Sequence, residues 1–149
     1  MALEIERKFL VIDDKYKTLA TGKREIKQGY LSRAKERTVR IRIADDDAFI
    51  TIKGVNRGSV RQEFEYEIPV PDAIQLLALC VPPIVEKTRH LVPWEGRTWE
   101  VDEFHGSNTG LVLAEIELPD KEAIVSLPPF VGTEVTDDPR YYNSNLTKE

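Results

Sequence analysis

The sequence predicts a mainly β (α+β) fold: an eight-stranded antiparallel β-barrel that encloses a tunnel, with a few helices packed outside and a C-terminal helix. Two observations predict it. Apolar and polar residues alternate with period two along most of the 149 residues, as they do in half-buried strands. Turn residues at 44–47 and 55–58 then connect short strands as hairpins. A set of such strands can close into a barrel, which leaves no exposed sheet edge.

Each alternating segment is assigned in order to one strand. The eight predicted strands span residues 3–12, 25–32, 38–44, 48–54, 59–68, 85–91, 98–104 and 111–118. No internal repeat or low-complexity linker interrupts them, so the whole chain, 1–149, is predicted to be a single domain.

Three segments carry helical signals. Asp72 precedes the strong helix formers of 73–79 and is a good N-cap residue. Residues 120–127 form a shorter candidate. Residues 138–146 form the predicted C-terminal helix, with Asp138 as its N-cap and Pro139 in its first position.

Composition excludes several classes of function. A chain with 41% hydrophobic and 32% charged residues folds, whereas disordered chains are poorer in apolar residues. One cysteine and two histidines argue against a disulfide framework and against a zinc site. The net charge of -5 argues against a nucleic-acid partner. Since no apolar run approaches the roughly 20 residues of a membrane span, we expect no membrane partner and a cytoplasmic location.

Like charges recur two residues apart on the predicted strands. Alternation places Glu4, Glu6 and Lys8 on one face of the first strand. The same spacing on later strands joins Arg40 with Arg42, Lys87 with Arg89, Glu115 with Glu117, and Arg61 with Glu63, Glu65 and Glu67. Residues two apart on a strand are about 6.6 Å apart, so equal charges there repel mildly. The pattern therefore indicates a partner of opposite sign.

The ordinary interpretation of one such strand is a solvated face opposite a core face. Several such strands favour a different arrangement, in which the charged faces point into one closed barrel and the apolar faces pack outward against the helices. A polyanion with several phosphates would then satisfy the basic rows, and divalent cations would satisfy the glutamates. Carboxylates without cysteine or nearby histidine suit Mg²⁺ (or Mn²⁺), which is the predicted cofactor.

The segment Glu4-Ile5-Glu6-Arg7-Lys8 resembles the Glu-x-Glu-x-Lys signature of the triphosphate tunnel metalloenzymes, also called the CYTH superfamily. Further segments resemble that family in order along almost the whole chain. They are the Arg-x-Arg strand at 39–42, the lysine strand at 51–53, the Arg-x-Glu-x-Glu strand at 61–65, the basic strand at 86–89, the acidic strand at 100–102, the second Glu-x-Glu pair at 115–117 and the tail at 134–143. Each segment is short, but their combination is specific.

The resemblance implies an eight-stranded antiparallel tunnel and a role for each charged row. The implied phosphate-binding residues are Lys8, Arg40, Arg42, Lys53, Arg61, Lys87 and Arg89. The implied metal ligands are Glu4, Glu6, Asp102, Glu115 and Glu117. The implied catalytic group is Glu4, Glu6, Lys8 and Lys87. Glu63 and Glu65 are interpreted as partners that orient the basic rows.

The activity that the resemblance implies is divalent-metal-dependent hydrolysis of inorganic tripolyphosphate or a related triphosphate, with release of the terminal phosphate. The short chain looks most like the compact bacterial tripolyphosphatases and leaves little sequence for a nucleobase or thiamine pocket. A class IV-type adenylate cyclase, a thiamine triphosphatase and a non-catalytic polyphosphate or nucleotide sensor are the alternatives. The expected partner is a small-molecule triphosphate, and the oligomeric state is left open. The segment from Pro139 onward is expected to close one tunnel mouth.

Overall fold

Long antiparallel strands form most of the protein, and the computed structural model describes residues 3–142 and 145–146. The strands within those residues are β1 (Leu3–Val11), β2 (Gly22–Ala34), β3 (Arg37–Ala44), β4 (Asp47–Lys53), β5 (Val60–Glu67), β6 (Val81–Trp94), β7 (Arg97–Phe104), β8 (Val112–Glu117) and β9 (Val131–Glu134). The helices are α1 (Tyr16–Leu19) and α2 (Val70–Leu79), with 3₁₀ turns at Gly106–Asn108 and Pro139–Tyr141.

The sheet closes on itself through β1. Antiparallel pairing joins β5, β4, β3, β2, β6, β7, β8 and β1 in that order, and β5 pairs back with β1, where Glu4 lies opposite Arg61. This closure confirms the predicted eight-stranded antiparallel barrel. The edge of β1 that meets β5 is shared: β5 pairs with residues 3–5, whereas β9 pairs with residues 9 and 11. A seam therefore lies beside the middle of β1, between β5 and β9.

The sequence does not predict β9, because its four residues include Gly132 and carry too little alternation. The strands β2 and β6 are also longer than predicted, with 13 and 14 residues. A register shift beside Tyr30 interrupts the pairing of β2 with both of its neighbours, and the pairing resumes beyond it.

The helix α2 confirms the predicted helix over 73–79 but begins earlier, at Val70. Pro69 is its N-cap residue, and Asp72 lies in the first turn instead of at the cap. The single-turn helix α1 has four residues, too few for a periodic signal in the sequence. Among the described residues, no helix has the length and apolar character needed to cross a membrane.

The other two helix predictions are corrected by the structure. Residues 120–127 form a turn followed by irregular chain, because the Asp120 carboxylate accepts a hydrogen bond of 2.8 Å from the Glu122 backbone N–H. The helix predicted over 138–146 is only the 3₁₀ turn Pro139–Tyr141, capped by Asp138. Residues 143 and 144 of that prediction lie outside the described residues.

Two of the three apolar clusters lie outside the barrel, as the charge pattern predicts. Phe9, Trp99 and Ile116 are buried beneath Tyr16 of α1 and Phe130. A second cluster packs β3 and β4 against α2. A third is built on inward-facing residues at one end of the barrel, where Val85, Phe104 and Leu113 meet Val135 and Leu146 of the C-terminal segment. Chain segments that follow β8 thus fill one end of the barrel.

Candidate active site: a charged tunnel

The centre of the barrel is a cavity of about 160 Å³ whose lining residues are all charged. Strand alternation explains this lining, because every second side chain of a closed barrel points inward. The lining residues are Glu4, Glu6, Arg40, Arg42, Lys53, Glu63, Glu65, Arg89, Glu100, Glu115 and Glu117. We call this space the central cavity.

The central cavity continues in both directions along the strands. A neighbouring cavity of about 40 Å³, the seam cavity, shares Glu6, Arg40 and Lys53 with it and adds Lys8, Arg61, Thr136 and Tyr142. On the other side, a cavity of about 380 Å³ shares Arg42, Glu65, Arg89 and Glu100 and adds Arg24 and Phe49. Alternate residues of β3, from Thr38 to Ala44, line the three cavities in turn. They form a charged tunnel of roughly 20 Å.

The structure brings most of the predicted site residues into this tunnel. Eight of the twelve line the central cavity: Glu4, Glu6, Arg40, Arg42, Lys53, Arg89, Glu115 and Glu117. Lys8 and Arg61 line the seam cavity. Lys87 and Asp102 are completely buried behind the lining and reach none of the three tunnel cavities.

The glutamates meet where β1 pairs with β8. Glu6 lies directly opposite Glu117, and Lys8 lies opposite Glu115 in the same register. Side chains opposite each other on antiparallel strands have Cβ atoms about 5 Å apart, so these carboxylates are close neighbours. Among the described residues, no three acidic, histidine or cysteine side chains already converge as a metal-binding group. A cation would have to draw the carboxylates together.

Four of the predicted metal ligands are glutamates of the central cavity: Glu4, Glu6, Glu115 and Glu117. For three of them, the positive charge that the protein supplies does not offset the effect of burial on the carboxylate. Burial raises the pKa of Glu6 to about 8, and the nearby carboxylate of Glu115 adds to the shift. Burial also raises the pKa of Glu4 and Glu117, against the attraction of Lys53. Burial opposes the ionisation of Glu115 too, but Lys8 and Arg89 outweigh it and lower its pKa to about 2.

Two cations of the central cavity, Lys53 and Arg40, have carboxylate partners in its wall. Lys53 Nζ lies 2.9 Å and 3.2 Å from the two carboxylate oxygens of Glu4 and 3.4 Å from Glu63. Arg40 donates to Thr51 at 3.2 Å and to Glu65 at 3.4 Å, and the Thr51 hydroxyl donates to the same Glu65 oxygen. These contacts hold both cations against the wall.

Asp102 forms the most deeply buried ion pairs of the barrel. Its two oxygens accept hydrogen bonds of 2.8 Å and 3.0 Å from Arg89, and Lys87 Nζ lies 2.7 Å from one of them. Although burial disfavours its charge, the two cations lower the pKa of Asp102 well below its usual range. Burial, reinforced by Arg89 and Arg42, lowers the pKa of Lys87 to about 7. A metal ion at Asp102 would have to open one of these pairs.

Lys8 connects the site to the C-terminal segment. Its ammonium donates a hydrogen bond of 2.8 Å to the carbonyl of Tyr141 and lies 3.5 Å from Glu115. Its backbone N–H donates to the Thr136 hydroxyl at 3.0 Å. Since Thr136 and Tyr142 also line the seam cavity, the C-terminal segment forms part of its wall.

Comparison with known proteins identifies the family, since the CYTH domain pattern matches residues 2–148. The chain belongs to the CYTH domain family. An inorganic triphosphatase of Acetivibrio thermocellus is 52% identical over 149 residues, covering 99% of this chain and 95% of the relative. An inorganic triphosphatase of Nitrosomonas europaea is 36% identical over 151 residues, covering 96% and 95%. The crystal structure of an inorganic triphosphatase matches with a TM-score of 0.69 and 33% identity over 98% of both chains.

The donor atoms of this CYTH tunnel fit a hard divalent cation. Glu4, Glu6, Glu115 and Glu117 offer only carboxylate oxygens, and Mg²⁺ and Mn²⁺ prefer oxygen ligands. The raised pKa of Glu6 identifies a carboxylate whose charge the protein does not compensate. A bound cation would supply that compensation.

The sequence does not predict the roles of several residues in or behind the wall of the CYTH tunnel. Some of these residues are neutral, and the spacing of others is ambiguous. The amide of Gln28 and the hydroxyl of Thr51 contact the arginines, yet neither carries a charge that would mark it. Glu100 and Asp102 share one face of β7, and only Glu100 lines the tunnel. The period-two signal alone predicts both as inward and does not distinguish their depths.

Proposed function

We propose that this CYTH protein is a divalent-metal-dependent triphosphatase that hydrolyses inorganic tripolyphosphate and releases its terminal phosphate, with Mg²⁺ (or Mn²⁺) as cofactor. The observation that carries the proposal is the central cavity, whose lining residues are all charged and of both signs. The 52% identical relative, named inorganic triphosphatase and covered over 95% of its length, supports the substrate class.

The cations would hold the phosphates. Arg40, Arg42 and Arg89 line the central cavity and would contact the chain of phosphates there. Lys8 and Arg61 would bind the part that extends into the seam cavity. Lys87 would act from behind the lining, where its charge adds to that of Arg89. Positioning and neutralising a phosphoryl group in this way is the main catalytic contribution of proteins to phosphoryl transfer.

The carboxylates would hold the metal. We assign Glu4, Glu6, Glu115 and Glu117 as its ligands, because all four line the central cavity. When bound, the ion supplies charge neutralisation and a water of lowered pKa. Asp102 remains a predicted ligand only if one of its ion pairs opens, and in the arrangement seen here it holds Arg89 and Lys87 in place. Glu4, Glu6 and Lys8 are the proposed catalytic residues, and Lys87 is proposed to support them from behind the lining through its pair with Asp102.

The charged lining of the central cavity favours a substrate without an organic group at that point of the tunnel. Of the residues that the structure describes, no apolar or aromatic one lines the central cavity. A nucleobase or thiamine ring needs an apolar or aromatic surface to stack on. The aromatic side chains Tyr30 and Tyr142 line the seam cavity together with Lys8 and Arg61, so a phosphate chain bound by those cations would occupy the same space.

The test is phosphate release from tripolyphosphate, thiamine triphosphate and ATP, each with Mg²⁺ and with EDTA. We expect orthophosphate and diphosphate from tripolyphosphate, only with the metal. Glu6→Gln keeps the side-chain size but removes the charge, so turnover should fall by about 100-fold or more. Glu36→Gln makes the same change in an exposed turn and is the matched control. Cyclic AMP from ATP would instead identify a cyclase, and tight triphosphate binding without turnover a sensor.

A further inference from the structure

The ammonium of Lys53 occupies a position beside a proposed metal ligand. It contacts both oxygens of Glu4, at 2.9 Å and 3.2 Å, and a third carboxylate oxygen, on Glu63, at 3.4 Å. The Lys53 and Glu4 side chains are only 13% and 8% exposed. A shielded cation held by several carboxylate oxygens has the surroundings that a metal ion would seek. The Lys53 ammonium therefore occupies the position beside Glu4 that a metal ion bound to Glu4 would need.

The other tunnel cations are placed differently. Arg40 pairs with Glu65, and Arg89 pairs with Asp102 and Glu100. None of these three acids belongs to the four-glutamate set, which is our name for the proposed metal ligands Glu4, Glu6, Glu115 and Glu117. Lys8 lies 3.5 Å from Glu115, but its shorter bond, at 2.8 Å, goes to the carbonyl of Tyr141. Among the ion pairs of the described residues, the Lys53–Glu4 pair makes the shortest contact between a cation and that set.

We infer that Lys53 is a transferable counter-cation that couples metal binding to triphosphate binding. The inference rests on the proposed function and deepens it. Lys53 and a metal ion compete for the same lone pairs of Glu4, so a metal that binds there must release the ammonium. A triphosphate offers the released ammonium a new anion within the same cavity, because Lys53 lines both the central cavity and the seam cavity.

Either ligand alone leaves a buried charge without its partner. Metal alone would take Glu4 from the Lys53 ammonium and leave it only the longer contact of 3.4 Å to Glu63, and triphosphate alone would take the ammonium from the Glu4 carboxylate. Breaking a buried ion pair from one side is costly, whereas exchanging both partners together is not. Each ligand therefore raises the affinity for the other, and the two effects are equal by thermodynamic linkage.

The test measures binding of Mn²⁺ alone, by calorimetry at pH 8.5 without any phosphate. Lys53→Met removes the competing ammonium, and we expect it to bind Mn²⁺ about tenfold more tightly than the wild type, a typical size for coupling between two ligands. Lys53→Arg keeps a cation beside Glu4 and should bind Mn²⁺ as weakly as the wild type.

Two controls separate this exchange from a general field effect. Arg40→Met removes the same charge from the same cavity, but its partner is Glu65, so its Mn²⁺ affinity should rise much less. Lys27→Met removes a charge from a side chain that is 65% exposed and should leave the affinity unchanged. If Lys53→Met does not fold, Lys53→Gln replaces it, with a thermal melt to verify the fold.

Equal Mn²⁺ affinities of wild type and Lys53→Met would overturn the inference, as would an equal gain from Arg40→Met. These outcomes are independent of turnover. Suppose that the wild type releases no phosphate from tripolyphosphate, but Lys53→Met binds Mn²⁺ more tightly than the wild type. That result would contradict the proposed activity and uphold the counter-cation role. A working triphosphatase without the gain would do the reverse.

Discussion

The amide oxygen of Gln28 accepts a hydrogen bond of 2.8 Å from Nε of Arg42. Gln28 is completely buried, and its amide nitrogen has no partner in the described part of the chain. Because Nε is engaged, the terminal nitrogens of the guanidinium are the donors that remain for a ligand in the central cavity. Gln28 is thus a positioning residue that acts through Arg42.

We expect Gln28→Leu to lower kcat/KM for tripolyphosphate by about tenfold, because hydrogen bonds to charged groups contribute about 1.5–3 kcal/mol. The control is Gln62→Leu, which changes an exposed glutamine of β5. Steady-state kinetics check this, and equal activity of Gln28→Leu and Gln62→Leu would contradict the positioning role.

Arg40 provides a test of the extended tunnel, since it lines both the central cavity and the seam cavity. Arg40→Ala should weaken the binding of tripolyphosphate about tenfold or more, and that of orthophosphate much less, because only a chain of phosphates spans both cavities. Calorimetry with each anion measures the difference. Arg37→Ala, which removes an exposed arginine at the start of β3, is the matched control. Equal losses for both anions would argue against a ligand that spans the two cavities.

The alternation in β1 predicts correctly which side chains share a face, because the period of a strand is fixed by its backbone geometry. Burying charged faces inside a barrel is unusual, and one strand alone would not have predicted it. The prediction succeeds because Glu4 with Glu6, Arg40 with Arg42, and Glu115 with Glu117 repeat the same like-charge spacing. Such repetition has no explanation on solvated faces.

The depth at which an inward side chain lies, and the conformation of the segments outside the regular strands, could not be predicted in the same way. Glu100 and Asp102 have identical spacing signals, and only tertiary packing places Asp102 between Lys87 and Arg89. The helix over 120–127 is wrong because the local Asp120 turn prevails over the helix-forming residues that follow it. The strand β9 forms because the seam of the barrel offers β1 as a partner, which is a long-range effect absent from four residues of sequence.

The apolar cluster between β1, β7 and β8 should dominate the stability of the barrel. Ile116 is 2% exposed within it. Ile116→Ala should lower the free energy of unfolding by about 2–5 kcal/mol, because it removes buried methyl groups and leaves a cavity. Ile124→Ala makes the same substitution at a side chain that is 90% exposed and should change it by less than about 0.5 kcal/mol. Urea unfolding measures both, and equal effects would contradict a core position for Ile116.

The short strand β9 is attached to β1 by an ion pair that depends on pH. The guanidinium of Arg7 donates hydrogen bonds of 2.9 Å and 2.6 Å to the carboxylate of Glu134, and these bonds lower the pKa of Glu134. A carboxyl group with a lowered pKa stabilises the fold above its unfolded value, about 4.3. That contribution is lost as the pH falls through the lower pKa of the folded state.

Glu134→Gln should therefore lower the free energy of unfolding by about 0.5–1 kcal/mol near pH 7, a small effect because the two side chains are 33% and 38% exposed. The difference from wild type should shrink as the pH falls below about 4, where the wild-type carboxyl also becomes neutral. Glu122→Gln, on an exposed turn, should show no such pH dependence. Urea unfolding between pH 3 and pH 7 measures the curves, and a difference that grows toward acid pH would contradict this role for Glu134.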